Sequence, residues 1–417
     1  MTHNLLNIQK SESYVPYQDL ENTQMLAELL DGPTRFLDSI RRSAASLTTQ
    51  MVFGFRIKSM DDPKLAEITL NVDNFAEMVQ GTTAAMMEVF PILRYIPTFL
   101  SPIKKRAELL HKTDKTLFMT HWLNAKQSWQ QGTGAPCFCA DMASVQAKEG
   151  FDADLACYTA GSILEAGSDT TANTIYAFVQ AMLLFPDIQH KLQQNIDEFV
   201  GDERLPIMED YHELPYVRST IKESLRWMPT AIIGIPHAVT RDDTYCGYII
   251  PKGAGILENI YTIQRDPQRH ADPRRFDPDR YQDDATSLAE SATNPDASKR
   301  GLFAFGAGRR ICQGIHVSER SLFLAIARLA WAFDITPIQD ENGRDVIPDP
   351  DKLTQGAACM PEPFQAVIKP RSEKRARVIR ESWRAAKCEL DPETMQWLQI
   401  PHALRVPGLK GYRNSYE

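Results

Sequence analysis

The chain has 417 residues, 43% of them hydrophobic, with 46 basic and 54 acidic side chains and a net charge of −8. That apolar content supports a large core in one or two domains, and an acidic balance without long blocks of one sign argues against nucleic acid as a partner. Seven cysteines, odd in number and widely spread in a chain without a secretory signal, fit a reducing compartment rather than a disulfide framework.

In chain order, residues 1–30 carry none of the usual targeting features. Segments 16–31, 34–55, 64–89 and 102–128 hold apolar residues at helical spacing, punctuated by Asp31-Gly32-Pro33 and Asp61-Asp62-Pro63. No apolar run approaches the ~20 residues needed to span a bilayer. The longest, residues 89–100, is broken by Pro91, Arg94 and Pro97, and reads either as a segment dipping into a membrane interface or as a buried connection between two helices. Cys137-x-Cys139 lacks the second pair that a zinc site needs and reads as a loop.

Residues 151–185 are helical in pattern almost throughout, which at 1.5 Å per residue predicts a rod of roughly 50 Å. Pro186 stops it, and a new helix follows over 187–200 with Gly201 at its C-terminus. Near the rod's midpoint lies Ala166-Gly167-Ser168-Asp169-Thr170-Thr171. Glycine costs ~1 kcal/mol against alanine inside a helix, and Ser, Asp and Thr compete for its backbone hydrogen bonds. The stretch is therefore either two helices, with Gly167 ending one and Asp169 capping the next, or a deliberate notch in one.

The helix predicted over 216–227 holds Glu223 and Arg226 at a spacing that elsewhere makes an ordinary ion pair worth about 0.2–0.5 kcal/mol. Short strands with turns over 234–239, which includes His237, and 247–253 form a small β part. Phe276-Asp277-Pro278-Asp279-Arg280-Tyr281 follows. Residues 303–314 read Phe-Ala-Phe-Gly-Ala-Gly-Arg-Arg-Ile-Cys-Gln-Gly, and the helical pattern resumes from Ile315 to Asp334. Cys312 is thus expected at a helix N-terminus, where unpaired N–H groups and the dipole favour a thiolate. Gly306-x-Gly308 is not a dinucleotide loop, because Ile311 stands where the third glycine belongs. Asp340-Glu341-Asn342-Gly343 signals a hairpin turn, 364–369 a closing strand, and 373–417 a charged surface extension with a polar tail.

The pattern Phe305-x-x-Gly308-x-Arg310-x-Cys312-x-Gly314 resembles the haem-binding loop of the cytochrome P450 family. Gln313 departs from it, where many members have proline. The resemblance implies a mainly α fold with a small β part and haem b held by an axial thiolate from Cys312. It further implies that Phe305 shields the sulfur, that Gly308 and Gly314 admit close approach of the porphyrin, and that Arg310, turned inward, and His237 meet the propionates. Ala-Gly-x-Asp-Thr-Thr looks like the family's oxygen-binding notch, with Asp169 and Thr170 supplying protons. Glu223, Arg226 and Arg280 would form its buried structural triad. The resemblance covers residues 5–371 and is to fungal secondary-metabolism members, giving a haem-thiolate domain over 1–371 and an extension over 372–417. It does not extend to the family's N-terminal anchor, first sheet and first helices. The first tryptophan is Trp122, so the chain is expected to be a shortened form or to start downstream of the true beginning.

The activity implied is monooxygenation of a small apolar molecule with O2, using electrons from NADPH through a reductase that docks near Lys299, Arg300, Arg309 and Arg310. The setting implied is the cytoplasmic side of the endoplasmic reticulum membrane, with peripheral contact through 89–100 in a chain that carries no anchor. Pocket residues are expected at Ile163, Ala166, 230–233 and Cys359, with 356–360 at a hairpin tip facing substrate. Rival readings are a haem-thiolate isomerase or dehydratase, which the Asp169–Thr170 pair argues against, and an inactive or haem-poor remnant.

Overall fold

The computed structural model describes residues 6–80, 86, 87, 89–356 and 358–404. Residues 81–85 and 88 of the expected 64–89 helix, position 357 of the hairpin tip and the tail from 405 lie outside that range. Ten main helices carry the architecture: α1 (Val15–Asp31), α2 (Phe36–Phe53), α3 (Pro63–Gln80), α4 (Pro102–Gln131), α5 (Phe138–Glu149), α6 (Ala153–Leu184), α7 (Pro186–Val200), α8 (Pro215–Trp227), α9 (Ile315–Ala332) and α10 (Glu373–Lys387). The strands form four two-stranded antiparallel pairs. These are β1 (His237–Ala238) with β4 (Gly255–Ile256), β2 (Asp243–Tyr245) with β3 (Tyr248–Ile250), β5 (Phe333–Thr336) with β8 (Val367–Pro370), and β6 (Ile338–Gln339) with β7 (Asp345–Val346).

The long rod is one unbroken helix. Asp152 caps it through a hydrogen bond from the Leu155 N–H (2.8 Å), and Pro186 begins its successor. The unfavourable residues at its middle are satisfied inside the helix: Thr170 Oγ1 donates to the Ala166 carbonyl (2.8 Å), and Asn173 Nδ2 donates to Asp169 (2.7 Å). Two of its glycines are explained by neighbours rather than by turns. A Cβ on Gly161 would collide with the Phe118 ring of α4, and one on Gly167 would lie 2.8 Å from Thr48 Oγ1 of α2. The helices pack that closely because no side chain intervenes. The two-helix alternative is therefore not realised.

The two ends of α6 serve two apolar cores. Its first half packs with α2, α4 and α5, where Trp122 is fully buried; its second half packs with α8 and α9, around Trp331. In the first core His121 sits between the rings of Phe53 and Phe55, 5.1 Å from each centroid. Burial, reinforced by the nearby Lys64 charge, lowers its pKa from 6.5 to about 4. A histidine with a depressed folded pKa costs stability in acid, because the unfolded chain takes up the proton first. The loss begins as pH falls through about 6.5 and is complete below about 4, for a total of about 3 kcal/mol. Urea midpoints measured across that range should fall more steeply for the native chain than for His121→Phe, and parallel curves would remove His121 from the acid response.

Two expectations are corrected. Residues 89–100 are not a buried connection: they form two 3-10 turns, Pro91–Tyr95 and Thr98–Leu100, with Ile92 76% and Tyr95 84% exposed. The prolines and Arg94 break the helical face that would have packed. Nor is the C-terminal extension a loose appendage. Helix α10 buries Ala376 and Ile379, and the chain beyond it straps across α1 and α2. Arg56 Nη1 donates to the Met395 carbonyl (2.7 Å), Gln396 exchanges hydrogen bonds with the Arg56 backbone (2.7 and 3.0 Å), and Trp397 Nε1 donates to Gln50 (2.7 Å). The same Arg56 and Gln50, with Arg42, close around the fully buried Glu21. Burial pushes the Glu21 carboxyl up, but Arg56 and Arg42 outweigh it and hold it below its ordinary value.

Candidate active site

The cysteine loop is set by two glycines and one backbone bond. Gly306 (φ +74°) and Gly308 (φ +66°) adopt left-handed conformations that a side chain would strain. They turn the chain so that the Cys312 N–H donates to the Phe305 carbonyl (2.9 Å). Phe305 is half-buried and packs against the main core, which anchors the loop, while Cys312 opens to solvent two residues before the N-cap Gly314 of α9. The thiol is not lowered by the helix end, as expected from sequence. Although its surface is open, the protein atoms ringing it desolvate the charged form and push the thiol up, against a smaller pull from the Gly314 N–H. A coordinated metal ion deprotonates a thiol outright, so ligation itself would have to supply the thiolate.

Arg310 is exposed rather than turned inward, and among the described residues it makes no hydrogen bond or ion pair within the protein. His237 on β1 is likewise exposed; its backbone pairs with Ile256 of β4, and its side chain lies near the Glu258 carboxyl without a side-chain hydrogen bond among the described residues. Of the other basic residues in this region, Arg309 is exposed and Lys299 pairs with Asp296 at 3.8 Å. Arg300 does not point outward. Its guanidinium donates to the Asn294 carbonyl (2.9 Å) and lies over the Phe303 ring.

On α6, Ala166 and Thr170 are exposed one turn apart. Asp169 points elsewhere, toward Arg41 of α2 and Asp73 of α3, with which it lines one cavity. Burial raises its pKa; Asn173 and Arg41 pull it back, and the Asp73 charge adds to the rise. A carboxyl so placed holds a proton closer to neutral pH than a surface aspartate does. Arg41 also reaches Met360, with Nη2 3.7 Å from Sδ. Arg41 and Asp73 carry no sequence signal, because they meet Asp169 only through packing of distant helices.

The remaining pocket residues do not form one wall. The Cys359 N–H donates to the Thr230 carbonyl (2.8 Å), tying the hairpin tip to 230–233, but both side chains are buried while Ile233 is 47% exposed. The triad residues do come together. Arg226 Nε and Nη2 donate to the two oxygens of Glu223 (2.6 and 2.8 Å), and Arg280 Nε lies 3.5 Å from Glu223 Oε1. Burial pushes the Glu223 carboxyl up against the pull of these partners.

The cytochrome P450 family model matches residues 1–367. The chain belongs to the cytochrome P450 family. It is 47% identical over 406 residues to the cytochrome P450 monooxygenase virE of Hypocrea virens, covering 97% of this chain and 73% of that protein. It is 45% identical to fogE of Aspergillus ruber, covering 97% and 74%. A zebrafish cytochrome P450 structure with progesterone shares the fold at a TM-score of 0.69 and 22% identity, over 89% of this chain and 81% of that one. This P450 is accordingly a haem-thiolate monooxygenase. Its own residues fit the haem: a sulfur open to solvent on a constrained loop, an Arg310 guanidinium without a protein partner among the described residues, and an exposed His237 that lies near the Glu258 carboxyl. No helix among the described residues is long and apolar enough to cross a membrane.

Proposed function

We propose that this P450 oxidises a small apolar molecule in fungal secondary metabolism, with Cys312 as the axial ligand of haem b. The observation that carries this is the open Cys312 sulfur, fixed by the Phe305 carbonyl bond at the foot of α9. Phe305 packs against the main core, Gly308 and Gly314 leave the loop free of side chains, and the exposed Arg310 and His237 are the cations that would meet the propionates. When bound, the haem supplies oxygen activation driven by electrons from NADPH through a reductase. Arg309 and Lys299 offer that partner a basic patch, since 297–317 contains no acidic residue. Glu223, Arg226 and Arg280 hold the scaffold below the loop. Residues 89–100, with their exposed apolar side chains, suit peripheral contact with the endoplasmic reticulum membrane.

Burial raises the Asp169 pKa and so favours its protonated form relative to a surface aspartate, and Thr170 presents its hydroxyl on the exposed face one residue on. In the ground state that hydroxyl donates to the Ala166 carbonyl, leaving its oxygen lone pairs free to accept from water. Thr170→Ala should keep the reduced carbon-monoxide band while product formed per NADPH falls at least several-fold, because loss of a positioned proton donor typically costs ~10²-fold or more in the step it serves. Unchanged coupling in that variant would refute the relay.

A further inference from the structure

The strap that follows α10 lies beyond residue 367, where the match to the family model ends, so the family's shared fold assigns it no role. Its core is a closed loop over residues 389–398. The Leu398 N–H donates to the Glu389 carbonyl (2.9 Å) and the Asp391 N–H to the Gln396 carbonyl (2.8 Å), which draws the two ends together. Asp391 Oδ1 accepts from the N–H groups of Glu393 and Thr394 (3.1 and 2.7 Å) and fixes the turn between them. Met395 there holds φ +57°, a left-handed conformation that is strained for a residue with a side chain. The strained turn aims the Met395 carbonyl and the Gln396 amide at Arg56.

This loop closes the outer side of α1. Tyr17 and Glu21, one helical turn apart, face it: the Trp397 ring lies 5.7 Å from the Tyr17 ring, and its N–H meets Gln50, whose amide donates to Glu21 (2.8 Å). The adjoining face of α1 grips α9. Gln18, 3% exposed, donates through Nε2 to the Val317 carbonyl (3.0 Å) and to Ser321 Oγ (2.8 Å), and Asn22 and Thr23 accept from Arg328 further along. Val317 and Ser321 belong to the first two turns of α9, just after the Cys312 loop. Helix α1 therefore stands between the strap and the helix that carries the cysteine.

The strap's bonds have no substitute among the described residues. Without them Arg56 Nη1, the Arg56 backbone N–H and carbonyl, and Gln50 Oε1 lose their partners, in two residues each 1% exposed. Buried polar groups left unpaired carry their full desolvation penalty, which is relieved only if α1 and α2 part to admit water. That movement draws Gln18 off α9.

We infer that the 389–398 loop positions the axial sulfur: Trp397 and Gln396 seat α1, and α1, through Gln18, holds the first turns of α9 into which the Cys312 loop leads. Trp397, Gln396 and Gln18 are positioning residues that act through α9. The inference rests on Cys312 as the haem ligand.

The test is hydrogen exchange of the amides 318–322 in the haem-loaded full chain, read beside the reduced carbon-monoxide spectrum. Trp397→Phe keeps the ring and removes its N–H, while Gln18→Leu cuts the link at the other end. Each should speed exchange of these amides about fivefold, the factor corresponding to one typical hydrogen bond, and move Soret intensity from the far-red-shifted band to the shorter-wavelength band of a complex without thiolate. The double variant should also stay near fivefold, because both changes break one chain of contacts. Ile196→Val, on α7 in the core around Trp331, loosens the fold elsewhere and should leave both readouts native. Native exchange and spectrum in both single variants would overturn the inference, as would a double variant showing the product of the two single effects, about 25-fold. The same changes in Ile196→Val would reduce the strap to general stabilisation and overturn it too. A thiolate-type band persisting in Cys312→Ala would instead overturn the ligand assignment on which the inference rests.

Discussion

Cys312→Ala is expected to abolish the far-red-shifted Soret band of the reduced carbon-monoxide complex completely, while leaving the helical circular dichroism unchanged. Of the seven cysteines, Cys137, Cys139, Cys157 and Cys359 are buried, and burial pushes the thiols of all four up. Cys246 and Cys388 are exposed but lie on β-turn and helix-end backbone without the Phe305-type anchor. None can replace the sulfur on the glycine-turned loop. The fold should survive because the Cys312 side chain is exposed and meets only the Gly314 N–H of its own loop, and its backbone bond to Phe305 does not depend on the side chain. A thiolate-type band persisting in Cys312→Ala would assign the ligand elsewhere. A variant lacking both band and helical signal would show the cysteine to be structural, contrary to its open position.

The parts of this site that were legible in the sequence are those encoded within about a dozen residues. The Cys312 loop, the long helix and the Glu223–Arg226 pair are all of this kind, because glycine placement and helical spacing act locally. What could not be read depends on distant segments. Gly167 looked like a break, but its reason is Thr48, on a helix over a hundred positions away in sequence, pressing against α6. Trp397 looked like part of a surface tail, yet its ring N–H satisfies Gln50 beside a buried Glu21. The Cys312 thiol shows the same limit from the other side. A local dipole argument predicts a lowered pKa, whereas desolvation sums over every surrounding atom and raises it. Residues 89–100 resisted because apolar content alone does not say whether a neighbour covers it.

Glu223→Ala is expected to be the most destabilising single substitution in the cysteine-side scaffold, by about 3–5 kcal/mol. Both partners are fully buried, with side chains 0% exposed. All five N–H donors of Arg226 are engaged: two on Glu223, and three on the carbonyls of Gln264, Pro273 and Arg275 at 2.9, 2.9 and 3.2 Å. Glu223 also accepts from the Asp277 N–H (2.7 Å), so one carboxylate fixes the segment that leads into Arg280. Arg280 in turn donates to the carbonyls of Ala271 and Asp272 (2.5 and 2.7 Å). Removing the carboxylate leaves a guanidinium charged and buried beside a cavity, and frees the 264–280 segment from its central acceptor. Arg226→Lys should cost less than Glu223→Ala but still weaken the fold, since a lysine ammonium cannot reproduce the planar five-donor fork. The decisive comparison is the double variant Glu223→Leu/Arg226→Met. Replacing a buried pair by apolar groups of similar volume removes the stranded charge, so the double variant should recover a substantial part of the single variant's loss in urea unfolding. If Glu223→Ala lowers stability by less than about 1 kcal/mol, the value of an exposed pair, the buried triad does not hold the scaffold in the way its geometry implies.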